Sequence, residues 1–200
     1  MSTGAPPRRG IGSVLTAGIV PVAVLLGLMW IAEGVDTVLG QRLDQLGIEP
    51  RDVDGLTGVV AAPFLHAGFG HLLANSAGLL VLGLLLAVTT RSFWLICALI
   101  TVLGGLAVWV LGPAGTLHIG ASGLVYGIAA YLLARGVRTR RVLDVVIAGI
   151  VVLAYSGLAL GVLPGQPGVS WQSHLFGALA GVAVAWFGAT PARRPRRLDR

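Results

Sequence analysis

SHLFGALAG, residues 173–181, sets one histidine and two glycines into a run that carries no formal charge from Gln172 to Gly188. The spacing reads as a helix, because His174, Gly177 and Gly181 follow i, i+3, i+7 and fall on one stripe. A stripe of bare backbone lets a neighbouring helix come close, so a polar side chain at its head can touch what that neighbour carries. ASGLVYG, residues 121–127, has the matching stripe: Gly123 and Gly127 stand four apart beside Ser122, and Tyr126 lies one turn below Ser122 on its face. HLLAN, residues 71–75, puts His71 and Asn75 on one face of a third apolar run. Polar groups at membrane depth are costly and are kept where they have a use. Together the three clusters supply a nucleophile, a base and two hydrogen-bond donors, the parts of a serine hydrolase.

Composition sets the medium. The chain is 56% hydrophobic and 11% charged over 200 residues, with a mean hydropathy of +0.88, which indicates several membrane spans instead of a soluble core. The formal charge is +6, but all 14 basic residues are arginines gathered at span ends. That is the pattern of a topology signal, and nucleic acid is excluded as a partner. Cys97 is the sole cysteine, which rules out a disulfide framework or a thiolate metal site.

Apolar runs at about 14–31, 71–89, 92–112, 122–134, 142–162 and 172–189 predict an all-α polytopic protein of six transmembrane helices. The membrane domain is expected over 14–190, between an N-terminal tail (1–13) and a basic tail (191–200). Six of the eight acidic residues lie in the connection 33–66, which is expected outside the cytoplasm with short helices of its own. Arg8, Arg9, Arg91, the arginines of 135–141 and those of 193–200 account for twelve of the fourteen. With positive charge inside, both termini are cytoplasmic, which requires an even number of spans.

Rise per residue gives depth. Thirteen residues separate Ser122 from Arg135, about 20 Å in a core about 30 Å thick, so the fourth helix is short and begins at mid-depth. His174 to Gly188 spans about 21 Å and Asn75 to Arg91 about 24 Å, which brings all the polar groups to one level. The loop GTLHIGA before Ser122 is non-helical, tolerated at depth only beside protein or a water-filled cavity.

FLHAGFGHLLAN, GASG with the following LVYG, and SHLFGALAG occur in this order between about 55 and 190. In that order they resemble the signatures of the rhomboid intramembrane serine proteases of the compact six-span bacterial type. The resemblance implies a rhomboid-like bundle and a catalytic dyad of Ser122 and His174. It implies an oxyanion hole of Asn75 and His71 with the Ser122 backbone N–H, in a loop shaped by Gly120. Tyr126 corresponds to the residue that stacks on the catalytic histidine, with Gly123, Gly177 and Gly181 supporting it by close packing. His66 matches a loop histidine outside the catalytic set, and His118 matches no part of the pattern. A Trp-Arg signature common in the first outer loop is absent, and Ser173 replaces the usual alanine.

The implied reaction is cleavage of single-span membrane proteins in the cell membrane, with no metal or cofactor and with membrane lipids as surroundings. The oligomeric state is left open. The alternative is a catalytically silent rhomboid-like protein that binds membrane helices. A transporter would show internal repeats, and a zinc protease would show HExxH; neither is present.

Overall fold

The computed structural model describes residues 11–188; most of the predicted N-terminal tail, with Arg8 and Arg9, and the whole of the predicted basic tail, with the arginines of 193–200, lie outside the described residues. Eight helices follow in order: α1 (Ile11–Val38), the short α2 (Gly58–Ala61), α3 (Phe69–Thr89), α4 (Phe93–Leu111), α5 (Ser122–Thr139), α6 (Val142–Tyr155), the short α7 (Leu158–Gly161) and α8 (Trp171–Phe187). Among the described residues no strand forms. Three helices are long and apolar enough to cross a membrane: the described part of α1 from Gly18, α3 and α4. The shorter α6 is also apolar.

The core follows helical periodicity. Val22, Leu25 and Met29 of α1 meet Leu72, Leu79, Leu82 and Leu86 of α3, and this face continues into Ile128 and Leu132 of α5. The opposite faces are apolar as well, with Leu73, Val88, Leu153 and Phe187 exposed. Chains of this kind bury apolar residues inward and offer apolar residues to lipid outward. Trp30 Nε1 donates to Ser76 Oγ (3.1 Å), which ties α1 to α3 one residue from Asn75.

Two helices run past their predicted ends. α1 continues through Glu33 and Asp36 to Val38, because both acids are buried at 2% exposure instead of standing in the loop. The Asp36 carboxylate accepts the Leu43 N–H (2.6 Å), closing the turn that follows the helix. α5 continues to Thr139 and has 18 residues, about 27 Å, so it is no shorter than its neighbour α8. Its predicted basic end, Arg135, is buried and satisfied from within: Nε donates to Asp144 (2.9 Å), Nη1 to the Tyr131 hydroxyl (3.3 Å) and Nη2 to the Thr89 carbonyl (3.1 Å).

Between α1 and α3 the chain forms three 3-10 turns and α2, as expected for this acidic connection. It is docked on the end of α4 by polar contacts. Arg51 donates to the carbonyls of Val110 (3.2 Å) and Gly112 (2.6 Å), and Trp109 Nε1 donates to the Asp52 carbonyl (2.6 Å). Ile48 and His118 exchange two backbone hydrogen bonds, 2.9 and 3.0 Å.

Candidate functional site

α5 and α8 meet backbone to backbone. A Cβ added to Gly177 would strike the Gly123 carbonyl oxygen, and one on Gly181 the Gly127 carbonyl oxygen. One on Gly123 would press on the Ser173 carbonyl at 3.1 Å. No side chain intervenes along this seam, so the helix axes lie close, as the two glycine stripes predict. The seam seats the His174 ring flat against Tyr126, with centroids 4.0 Å apart and planes 8° from parallel.

His174 Nδ1 lies 2.8 Å from the carbonyl oxygen of Gly161, at the end of α7. A carbonyl can only accept, so in the neutral ring the proton sits on Nδ1 and Nε2 keeps its lone pair. A backbone carbonyl thereby fixes the tautomer that a carboxylate fixes in a triad. Ser122 opens α5, one residue before Gly123 at the seam and one turn before Tyr126. Its hydroxyl makes no hydrogen bond among the described residues.

The loop before Ser122 is shaped by close approach. Gly120 has φ +107°, and a Cβ there would collide with the His71 ring at Cε1 (2.6 Å) and Nε2 (2.8 Å). The Asn75 amide nitrogen would be 3.6 Å from that Cβ. Only glycine admits both that conformation and that contact. His71 Nε2 and Asn75 Nδ2 are thus brought against the Gly120 backbone, two residues before Ser122. Asn75 is steadied by donating to the His71 carbonyl at 3.1 Å. The Gly120 N–H is taken by the Ala62 carbonyl (2.8 Å) and the Ala121 N–H by His66 Nε2 (3.4 Å). The next amides, from Ser122 on, belong to the first turn of a helix and have no intrahelical acceptor.

His66, buried and edge-on to His71 at 5.2 Å, is a strut behind this loop. Burial, and then the neighbouring His71, push its pKa down to about 4, so it stays neutral. His118, which the sequence left without a role, is buried as well. Its Nδ1 pairs with Ser170 Oγ (2.6 Å) and its Nε2 with Thr116 Oγ1 (2.8 Å), while Ser170 caps α8 by accepting the Ser173 N–H (3.4 Å). Burial lowers its pKa. The histidine pins the loop before Ser122 to the start of the helix that carries His174. A cavity of about 40 Å³ behind the loop is lined by His118, Gly120, Gly123 and Ser173 among others, enough for water at about 10–15 Å³ per molecule.

A family model described as Rhomboid domain matches residues 54–191. An uncharacterized protein of Mycobacterium tuberculosis is 46% identical over 189 residues, covering 90% of this chain and 78% of that protein. One from Mycobacterium leprae is 41% identical over 191 residues, covering 90% and 75%. Rhomboid-like protein 11, chloroplastic, of Arabidopsis thaliana is 32% identical over 141 residues, covering 64% of this chain and 50% of that protein.

Proposed function

The chain belongs to the rhomboid family, and from that premise we propose that it is an intramembrane serine endopeptidase acting through Ser122 and His174. The observation that carries the reading is the pose of His174. Its ring is stacked on Tyr126 and held at Nδ1 by the Gly161 carbonyl, which leaves Nε2 as the basic nitrogen on a helix pressed against the one that begins at Ser122.

In the proposed reaction His174 Nε2 takes the Ser122 proton as Oγ attacks a peptide carbonyl. The oxyanion is held by His71 Nε2, Asn75 Nδ2 and the Ser122 N–H, each such donor being worth on the order of 10²–10³ in rate. Protonated His174 returns its proton to the leaving amine, and water then hydrolyses the acyl-enzyme through the same base. The substrates are transmembrane segments of single-span proteins, opened near the outer surface where small or helix-breaking residues free the peptide bond from its helix. We also propose that α1, α3, α4, α5, α6 with α7, and α8 form six spans of one domain over 14–190 in the plasma membrane, with both termini cytoplasmic.

The test is labelling of the detergent-purified protein with a fluorophosphonate probe. Wild type labels, and Ser122→Ala and His174→Ala do not, while both variants keep the wild-type melting temperature. Cleavage of a model substrate falls by more than roughly 10³-fold in either. A folded wild type that never labels, beside an active rhomboid protease that does, overturns the reading in favour of a helix-binding protein.

A further inference from the structure

The end of the bundle away from Ser122 holds a larger cavity, about 220 Å³, lined by Tyr131, Arg135, Arg138, Thr139, Arg141 and Ala185. It lies where α5 ends, α6 begins and α8 passes. Three arginines line it, and among the described residues no acidic residue does. The neighbouring acid, Asp144, is already committed: Oδ1 accepts from Arg135 (2.9 Å) and Oδ2 from Thr139 Oγ1 (2.7 Å). Arg135 and Asp144 thus cancel as a buried pair, and Arg138 and Arg141 contribute two positive charges with no acid opposite them among the described residues.

The chain geometry gathers those two charges. Arg140 caps α5 in the left-handed conformation, φ +53°, and this turn brings Arg138 and Arg141 to one cavity while Arg140 stays off its walls. Arg138 is parked on the α8 side through a hydrogen bond to the Ala185 carbonyl. The Tyr131 hydroxyl, which accepts from Arg135, still has a proton to donate. Two guanidinium forks and a hydroxyl around a roomy void form a receptor for a tetrahedral oxyanion, the geometry in which arginine binds bidentately.

The rim identifies the source of that anion. Three of the six liners stand beside an apolar residue turned outward: Val137 next to Arg138, Val142 next to Arg141, and Trp186 next to Ala185, at 65%, 81% and 45% exposure. Phe187 follows at 89%. A free anion has no use for such a collar, whereas a phospholipid brings a phosphate with acyl chains attached, and an exposed tryptophan suits the headgroup level. We propose that this cavity binds the phosphodiester of an anionic phospholipid between α5, α6 and α8, with the acyl chains against Val137, Val142, Trp186 and Phe187.

The test uses the delipidated full chain in neutral detergent, titrated with phosphatidylglycerol, phosphatidylcholine or inorganic phosphate and followed by thermal unfolding. Phosphatidylglycerol raises the melting temperature of wild type and of Arg140→Gln by about 5 °C or more at saturation. In Arg138→Gln/Arg141→Gln most of that rise is lost and the apparent Kd weakens roughly tenfold or more, the scale for two basic groups at an anionic surface. Arg141→Gln alone, whose side chain makes no hydrogen bond among the described residues, shows a smaller loss and carries the test if the double variant does not fold. An undiminished response in these variants, or an equal response to phosphatidylcholine, overturns the site. A full response to inorganic phosphate overturns the lipid assignment and leaves a simple anion pocket.

Discussion

α8 and the α6–α7 segment both reach the side of α5 that carries the candidate site, and they do so in opposite ways. α8 lies on α5 along a whole seam in which Gly123, Gly127, Gly177 and Gly181 leave no room for a single added carbon. The α6–α7 segment meets it through side chains instead: Ile147 and Val151 are buried in the core with Tyr155 and Leu158 packed against it, Gly136 of α5 fits against Ala148 and Asp144, and Gly161 fits against Tyr126 and His174. On the outward side of this segment Gly149 and Gly157 have nothing within 4 Å, and Leu153 is exposed. The relative position of Ser122 and His174 is therefore fixed by backbone packing, while the carbonyl that orients His174 arrives at the end of a segment held to the core by side chains. Placement and orientation come from different parts of the molecule.

The widest break in that contrast comes from the seam. Gly177→Ala/Gly181→Ala places two carbons on backbone oxygens that cannot move aside, and it should destabilise the protein by about 3 kcal/mol or more, read as a melting temperature lower by roughly 6 °C or more. Next comes Gly161→Ala, where the added carbon meets the Tyr126 hydroxyl and His174 Nδ1. Probe labelling should fall roughly tenfold or more with loss of the orienting bond, while stability changes by less than about 1 kcal/mol. A melting temperature as low as that of the seam variant would show that α7 is held as firmly as α8.

The outer segment sharpens the picture through pH. Burial, and then His71, depress His66 from 6.5 to about 4, so the stability tied to its neutral form is present above about pH 6.5 and lost as pH falls toward 4. Burial, and then Asp36 and Glu33, raise Asp44 from 3.8 to about 6, so its contribution is present below about pH 3.8 and lost as pH rises toward 6. The two oppose each other between about pH 4 and 6. Unfolding followed across that window should show stability falling with rising pH in His66→Gln, rising in Asp44→Asn, and flatter than either in wild type. Identical slopes in all three would remove both groups from the balance. The smallest effect is expected at Gly149→Ala, where an added methyl meets nothing: a melting temperature unchanged or slightly raised, against the drop at the seam.

What the sequence made legible was whatever a side chain announces. Ser122, His174, His71 and Asn75 stood out because polar residues interrupt apolar runs, and the glycine stripes foretold which helices touch. Gly161 gave no sign of its role, since its contact is a carbonyl oxygen that every residue possesses. His118 was unreadable for a similar reason: the backbone bridge to Ile48 leaves no mark in either residue's identity. The ends of α1 and α5 were misjudged because charge was taken to mean surface. Glu33, Asp36 and Arg135 are buried, and the partner that makes Arg135 tolerable, Asp144, lies in the next helix.

The His118 link also bears on when the site comes into being. The loop before Ser122 is held on one side by Ile48, through paired backbone bonds, and on the other by Ser170, 52 residues further along the chain than His118. A chain emerging from synthesis makes Ser122 well before it makes Ser170, and His174 later still. Until the last helix is in place the loop lacks one of its two fastenings and His174 has no seam to sit on. A nascent chain therefore inserts α1 to α7 with these groups unassembled, and the chemistry they could support waits for α8.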